Sequence, residues 1–270
     1  MSDDQLINKK FHTLQRDKIV KDHEKFIYNE IGNRIIHSLE GIKFSIENCL
    51  EIGPSSNAIY SAILSKFNQI EYYNIDISKK ILEKSLAKDH SISLDHDEWK
   101  LNDKKFDLII SNFYLHLTNN FDFLLKKING SLTNKGFFIA SVPGINCFHE
   151  LKSSMMQADI EIYGGIYRRF MKLFSVEIIS SLLKKNDYKI PVIEVDTLEL
   201  RYKKFSSLLR DVRYLGNSNL YEDRKKNFER KNYFKKVEEI YFENYSSSNQ
   251  FILQLEILYI TAWKENSIIK

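Results

Sequence analysis

Two cysteines, three prolines and nine glycines are few for a chain of 270 residues, and each scarcity closes off a class of answer. Cys49 and Cys147 stand alone. They support neither a disulfide framework nor a cysteine-based metal site, which fits a reducing compartment. The sparse prolines and glycines form no linker, and there is no internal repeat or low-complexity tract. No apolar run reaches the roughly 18 residues of a membrane-spanning helix; stretches such as Phe137 to Val142 read as buried strands. The opening residues, Met1 to Gln5, carry acids and no apolar core, and no Arg/Ser-rich leader follows. The expected location is therefore the cytoplasm, or the mitochondrial matrix in a eukaryote. Charge of one sign is not in excess either. With 40 Lys and Arg against 36 Asp and Glu the formal net charge is +4, too mild to announce a nucleic-acid binder.

What is present is an ordinary globular composition, 43% hydrophobic and 28% charged, with a mean hydropathy of -0.37. From His23 to Leu39 apolar residues recur at three- and four-residue steps, predicting an amphipathic helix. Asn48 to Gly53 reads as a short strand ending in a turn, and Ala58 to Phe67 as a helix. Ile70 to Ile77 is the next strand, and Ser78 to Leu86 a helix that Ser78 can cap. Strand Phe106 to Ser111, helix Phe121 to Leu132 and strand Gly136 to Val142 continue the alternation. Parallel strands joined by crossover helices build a doubly wound α/β sheet, and such sheets bind ligands at the strand C-termini. Beyond Val142 the rhythm changes. Helices are expected at Phe148 to Ala158, Val176 to Lys185, Phe205 to Tyr214 and Lys226 to Phe242, with strands at Val192 to Leu200 and Phe251 to Trp263. The last of these closes the sheet as an edge or inserted strand.

The turn Glu51-Ile-Gly-Pro-Ser-Ser-Asn57 lies between the first core strand and its helix. Gly53 permits a sharp turn and close ligand approach, the helix-start N–H groups can meet a carboxylate, and Glu51 can pair with an amino group. Asp76 follows about 20 residues later, the spacing at which a carboxylate accepts ribose hydroxyls; its other reading is a helix N-cap. Asp95 is placed to meet an adenine amine or to shape a surface turn. Asn112 ends a strand facing the same crevice. A dinucleotide fold places three glycines under a pyrophosphate. Ser55 and Asn57 occupy two of those positions here, which favours S-adenosylmethionine as the cofactor. No metal is expected: the one His-x-acid triplet, His96-Asp97-Glu98, falls in the adenine loop.

These residues resemble the class I methyltransferases. Within them the chain resembles the branch of the mitochondrial complex I assembly factor with a methyltransferase fold, a neighbour of the malonyl-acyl-carrier-protein methyltransferase of biotin synthesis. The likeness runs from about Arg16 to Trp263. It is most specific at His149-Glu-Leu151, Gly164-Gly165, Val195-Asp-Thr197 with Tyr202, Leu209 to Asn219, and Leu258 to Trp263. It implies one domain over 1–270, with a helical cap (1–44), a cofactor core (45–145) and a substrate-side half (146–270) holding a helical lid. It assigns Glu51, Gly53 and Ser55 to the cofactor loop, Asp76 to the ribose and Asp95 to the adenine. Tyr202, Asp211, Arg213 and Asn219 fall to the substrate side, or else form an internal pair and a turn. The loop departs from the family's acid-x-Gly-x-Gly-x-Gly by keeping only its first glycine. The implied reaction is methyl transfer to a carrier-borne malonyl carboxylate, with an acidic carrier protein docking on the cations between Arg201 and Lys236. The alternative is arginine hydroxylation on a complex I subunit, or its assembly without methylation.

Overall fold

The computed structural model describes residues 7–265 apart from 20–24, 43–44, 68, 88–89, 102–103 and 216–218. The predicted helix start at His23 and the Gly216-Asn-Ser218 part of the Leu209 to Asn219 motif lie outside the described residues. Two helices come first, α1 (Lys9–Ile19) and α2 (Phe26–Glu40). The alternating core follows: β1 (Asn48–Ile52), α3 (Ala58–Lys66), β2 (Glu71–Asp76), α4 (Lys79–Lys84), β3 (Ser91–Ser93), β4 (Phe106–Asn112), α5 (Phe121–Ser131) and β5 (Leu132–Pro143). The second half adds α6 (His149–Tyr163), α7 (Val176–Lys185), β6 (Lys189–Tyr202), α8 (Phe205–Tyr214), α9 (Tyr233–Tyr245), β7 (Ser246–Ser247) and β8 (Gln250–Trp263).

The described strands form one sheet in the order β3-β2-β1-β4-β5-β8-β6, with β7 paired to β8. The pairs among β1 to β5 are parallel, and β8 runs antiparallel between β5 and β6. The doubly wound expectation holds, and the closing strand proves to be inserted. Because side chains alternate across a strand, β1 sends Cys49 to one apolar layer and Leu50 and Ile52 to the other. β4 divides Leu108 and Ile110 from Ile109 in the same way, while Phe106, before a register shift in the strand, joins Ile109's layer. The central strands are thus buried on both faces, which explains their continuous apolar runs. β6, at the sheet edge, alternates half-buried and exposed residues. No described helix is long and apolar enough to cross a membrane.

Local signals fixed several boundaries. Ser78, Asn120 and Ser175 each accept a hydrogen bond from the backbone N–H three residues on, capping α4, α5 and α7. The predicted helix at Lys226 begins only at Tyr233; the stretch before it is tied by Glu229 to Arg169 and Lys225 instead. The chain winds outward from β1 to β3 and then returns to start β4 on β1's other side. This puts the topological switch point between the ends of β1 and β4.

Candidate functional site

At the switch point the turn after β1 is shaped by Gly53. Its φ is +69°, a left-handed conformation that side chains disfavour, and its N–H donates to the Ile75 carbonyl at 2.8 Å. A Cβ there would lie 2.1 Å from Tyr114 Cγ, so the missing side chain makes room for a tyrosine ring from the loop after β4. Ser55 is buried, and its hydroxyl has no hydrogen-bond partner. Glu51 accepts from the Tyr72 hydroxyl at 2.8 Å through Oε2, while Oε1 has none. Burial pushes the Glu51 carboxyl up to about 7, against the lowering pull of Tyr72 and Arg16.

Asp76 ends β2 and is fully committed. Its Oδ1 accepts from the Ser78 N–H at 2.7 Å, and its Oδ2 from Arg16 Nη2 at 2.5 Å and Nε at 3.2 Å. Arg16 comes from α1 and is 1% exposed. The same Nη2 reaches the Pro54 carbonyl at 3.0 Å, and the guanidinium lies 4.5 Å over the Tyr114 ring. Burial opposes its charge, but Asp76 and the neighbouring tyrosines outweigh that and hold its pKa above the usual range. One turn earlier on α1, His12 stacks on Tyr114 at 5.8 Å and meets the His96 ring edge-on at 6.2 Å. Burial, helped by repulsion from His96, Arg16 and His116, holds His12 neutral.

The adenine-side candidate Asp95 pairs with Lys9 at 2.9 Å and accepts from the Asp97 N–H at 3.0 Å. Asp97 accepts from the Thr118 hydroxyl and from Asn119. Asp95, His96 and Asp97 can bring one ligand atom each within 4.8 Å. Their bonds, however, run to α1 and to the loop after β4, so the cluster ties those two segments together. Asn112 donates its amide N–H to the Tyr28 carbonyl (2.9 Å), pinning α2 to the sheet, and its amide oxygen accepts from the Ser141 hydroxyl (3.1 Å).

A different site opens beyond β4 and β5. A cavity of about 740 Å³ is lined by Ile145, Met155, Met156, Ile166 and Phe170 together with Lys152, Arg168, Arg169 and Lys172, and by no acid. Arg169 is neutralised inside the protein by Asp159 (2.5 Å) and Glu229 (2.8 Å). Although burial opposes it, Arg169, Lys225 and the Tyr163 hydroxyl hold the Glu229 carboxyl at about 2. Lys152, Arg168 and Lys172 form no ion pair with a described carboxylate, and Arg168 lies 5.1 Å over Tyr221. Of the substrate-side candidates, Asn219 donates to the Arg168 carbonyl at 2.7 Å. It and Arg213 line an adjoining 270 Å³ pocket that shares Arg168 and Arg169. Tyr202 hydrogen-bonds Asp211, which also meets Arg210. Arg213 lies 5.9 Å over Phe234.

Residues 50–138 match the family model described as a methyltransferase domain. The fold is that of the class I methyltransferases. A phosphoethanolamine N-methyltransferase from Haemonchus contortus, solved with S-adenosyl-L-methionine, superposes with a TM-score of 0.52 at 18% identity, over 87% of this chain and 52% of that one. Among curated proteins, the chain is 26% identical to "Arginine-hydroxylase NDUFAF5, mitochondrial" of Dictyostelium discoideum, over 93% of its own length and 64% of that protein's. It is 22% identical to the malonyl-[acyl-carrier protein] O-methyltransferase of a Methylovorus strain, over 90% of its own length and 84% of the relative's.

Glu51 Oε1, Ser55 Oγ and the Tyr114 hydroxyl are buried without hydrogen-bond partners. Buried polar atoms are rarely left so, and together they suit the polar groups of an amino-acid and nucleoside ligand. Asp76, by contrast, already has Arg16 on it. Arg16, His12 and Tyr114 were invisible to a search for apolar periodicity and glycine loops. The i, i+4 spacing of His12 and Arg16, which puts both on one helix face, was the signal available.

Proposed function

We propose that the chain is an S-adenosylmethionine-dependent methyltransferase acting on an anionic acceptor carried by a protein. The cofactor supplies an electrophilic methyl group on a sulfonium, and the transfer demands alignment more than acid-base chemistry. Glu51 and the α3 N-terminus would hold the amino-acid end, Asp76 the ribose and Asp95 the adenine side. Gly53 and Ser55 keep the loop low enough to be approached. Asn112 holds α2 against the sheet, so its part is to position the crevice wall. Asn219 fixes the Arg168 backbone, and Arg213 flanks the same opening. Tyr202 and Asp211 brace the base of the α8 lid.

The observation that carries the acceptor class is the acid-free cavity with Lys152, Arg168 and Lys172 around an apolar floor. Unpaired cations over apolar surface attract a carboxylate on an acyl arm and repel a guanidinium. Of the two relatives' printed substrates, malonyl-carrier protein fits this cavity better than an arginine. Isothermal calorimetry with S-adenosylmethionine on the wild type and Asp76→Ala tests the first half of the proposal. Radiolabelled methyl transfer to malonylated acyl-carrier protein tests the second. Heat with the wild type and none with the variant supports the cofactor assignment; label staying off the carrier removes the malonyl acceptor.

One observation favours a second reading, a complex I assembly factor that recognises its partner without methylating it. The chain's own Arg16 and Tyr114 fill the crevice at Asp76 and Gly53. Absence of cofactor binding in both the wild type and Arg16 variants would favour this reading over the first.

A further inference from the structure

We infer that Arg16 selects the cofactor by its carboxylate: on ligand entry its guanidinium leaves Asp76 to the ribose hydroxyls and pairs with the ligand's amino-acid carboxylate. This rests on the cofactor assignment above. A ligand that uses Asp76 competes directly with Arg16, because Oδ2 already accepts two of its N–H groups and Oδ1 is held by Ser78. The guanidinium cannot shed its proton, and it is 1% exposed. Once displaced it must find another anion close by, since a buried unpaired charge is strongly unfavourable.

The geometry limits where that anion sits. Arg16 Nη2 is already 3.0 Å from the Pro54 carbonyl, inside the turn that leads to the α3 N-terminus at Ala58. That is the end of the crevice where helix N–H groups favour a carboxylate. The Tyr114 ring, 4.5 Å beneath the guanidinium, is a cation-π floor along which the group can swing without losing all its contacts. The competing protein anion is Glu51, whose Oε1 has no hydrogen-bond partner. Were Arg16 to move there, it would displace the ligand's ammonium and leave the ligand carboxylate without effect on affinity. The two destinations therefore differ in what they make the protein discriminate.

The test compares S-adenosylhomocysteine with its decarboxylated analogue, which keeps the adenosine, thioether and amine. Affinities are measured by calorimetry on the full chain as wild type, Arg16→Gln and Arg16→Lys. The wild type is expected to prefer the carboxylate by about 10- to 100-fold, the range of a charge-assisted hydrogen-bonded pair. Arg16→Gln is expected to bring the preference below about 5-fold by weakening S-adenosylhomocysteine, with Arg16→Lys retaining most of it. A thermal melt of each variant checks folding; should Arg16→Gln not fold, Arg16→Met, which fills the buried volume without charge, takes its place with the same expected loss of preference and the same overturning result. Equal preference in wild type and Arg16→Gln, or none in the wild type, overturns the inference. Tighter binding of both ligands to Arg16→Gln overturns it too, because Arg16 would then be only an obstruction. If no protein binds either ligand, the cofactor assignment itself falls, an outcome distinct from a lost preference.

Discussion

The crevice over β1 and β4 and the cavity beyond β5 share a rim of the same sheet and are built in opposite ways. In the crevice the polar groups are matched within the protein: Arg16 on Asp76 in full burial, the exposed Lys9 on Asp95, and the Tyr72 hydroxyl on Glu51 Oε2. In the cavity the cations line an open volume and meet no described carboxylate, except Arg169, which is held from behind by Asp159 and Glu229. Buried, mutually satisfied charges are expensive to disturb, whereas exposed ones contribute little to stability and much to what they attract. On the function proposed above, the first region would carry stability and cofactor choice together, and the second acceptor choice nearly free of stability.

The sharpest way to break this contrast is Asp76→Ala, which strands a buried guanidinium. Chemical denaturation is expected to show a loss of about 3–5 kcal/mol. A loss under about 1 kcal/mol would mean that Arg16 is not held as described. Gly53→Ala combines a positive φ with a collision against the Tyr114 ring and is expected to cost about 4 kcal/mol; an unchanged melting temperature would show that Tyr114 lies elsewhere.

Glu51 adds a pH signature. Its carboxyl is raised to about 7 from the ordinary 4.5 by burial, so the folded state binds its proton more tightly than the unfolded state does. Its contribution is therefore fully present below about pH 4.5 and is lost as pH rises to about 7. That amounts to about 3 kcal/mol. The stability difference between wild type and Glu51→Gln should change by this amount across the window, and a pH-independent difference would contradict the burial of an unsatisfied Oε1.

The smallest stability effect is expected in the cavity. Arg168→Ala should cost under about 0.5 kcal/mol while raising the KM for an anionic acceptor about 10-fold. The same KM rise with a neutral acceptor would show that charge is not what the cavity reads.

Much of the core was legible in the residues. Helices at Val176–Lys185 and Phe205–Tyr214 appear with the expected bounds, because their apolar faces are regular and polar residues precede them. β5 starts four residues before its predicted Gly136, since Leu132 to Lys135 are a strand's beginning without alternation to announce it. α1 went unrecognised. Its face toward the sheet buries His12, Arg16 and Ile19, and apolar spacing does not mark a helix whose buried side is mostly polar.

The cavity was hidden for a related reason. The cations the sequence displays as a crowd lie between Arg201 and Lys236, but those that line the cavity are mainly Lys152, Arg168, Arg169 and Lys172. Lys152 on α6 and the α6–α7 connection, which carries Arg168, Arg169 and Lys172, meet there.

What the amino-acid order determined by itself is the parallel core of the sheet: short apolar runs, crossover helices and turn residues act within a few positions of one another, whereas the closing strand stayed open as edge or inserted. The tertiary structure alone decided what occupies the crevice. Arg16 and Asp76 are 60 residues apart, and only packing of α1 over the switch point could reveal that the acid expected to hold a ribose already holds a guanidinium. Local spacing can say that a carboxylate stands at a strand end; which partner it keeps depends on long-range burial, where an unpaired charge is too costly to leave alone.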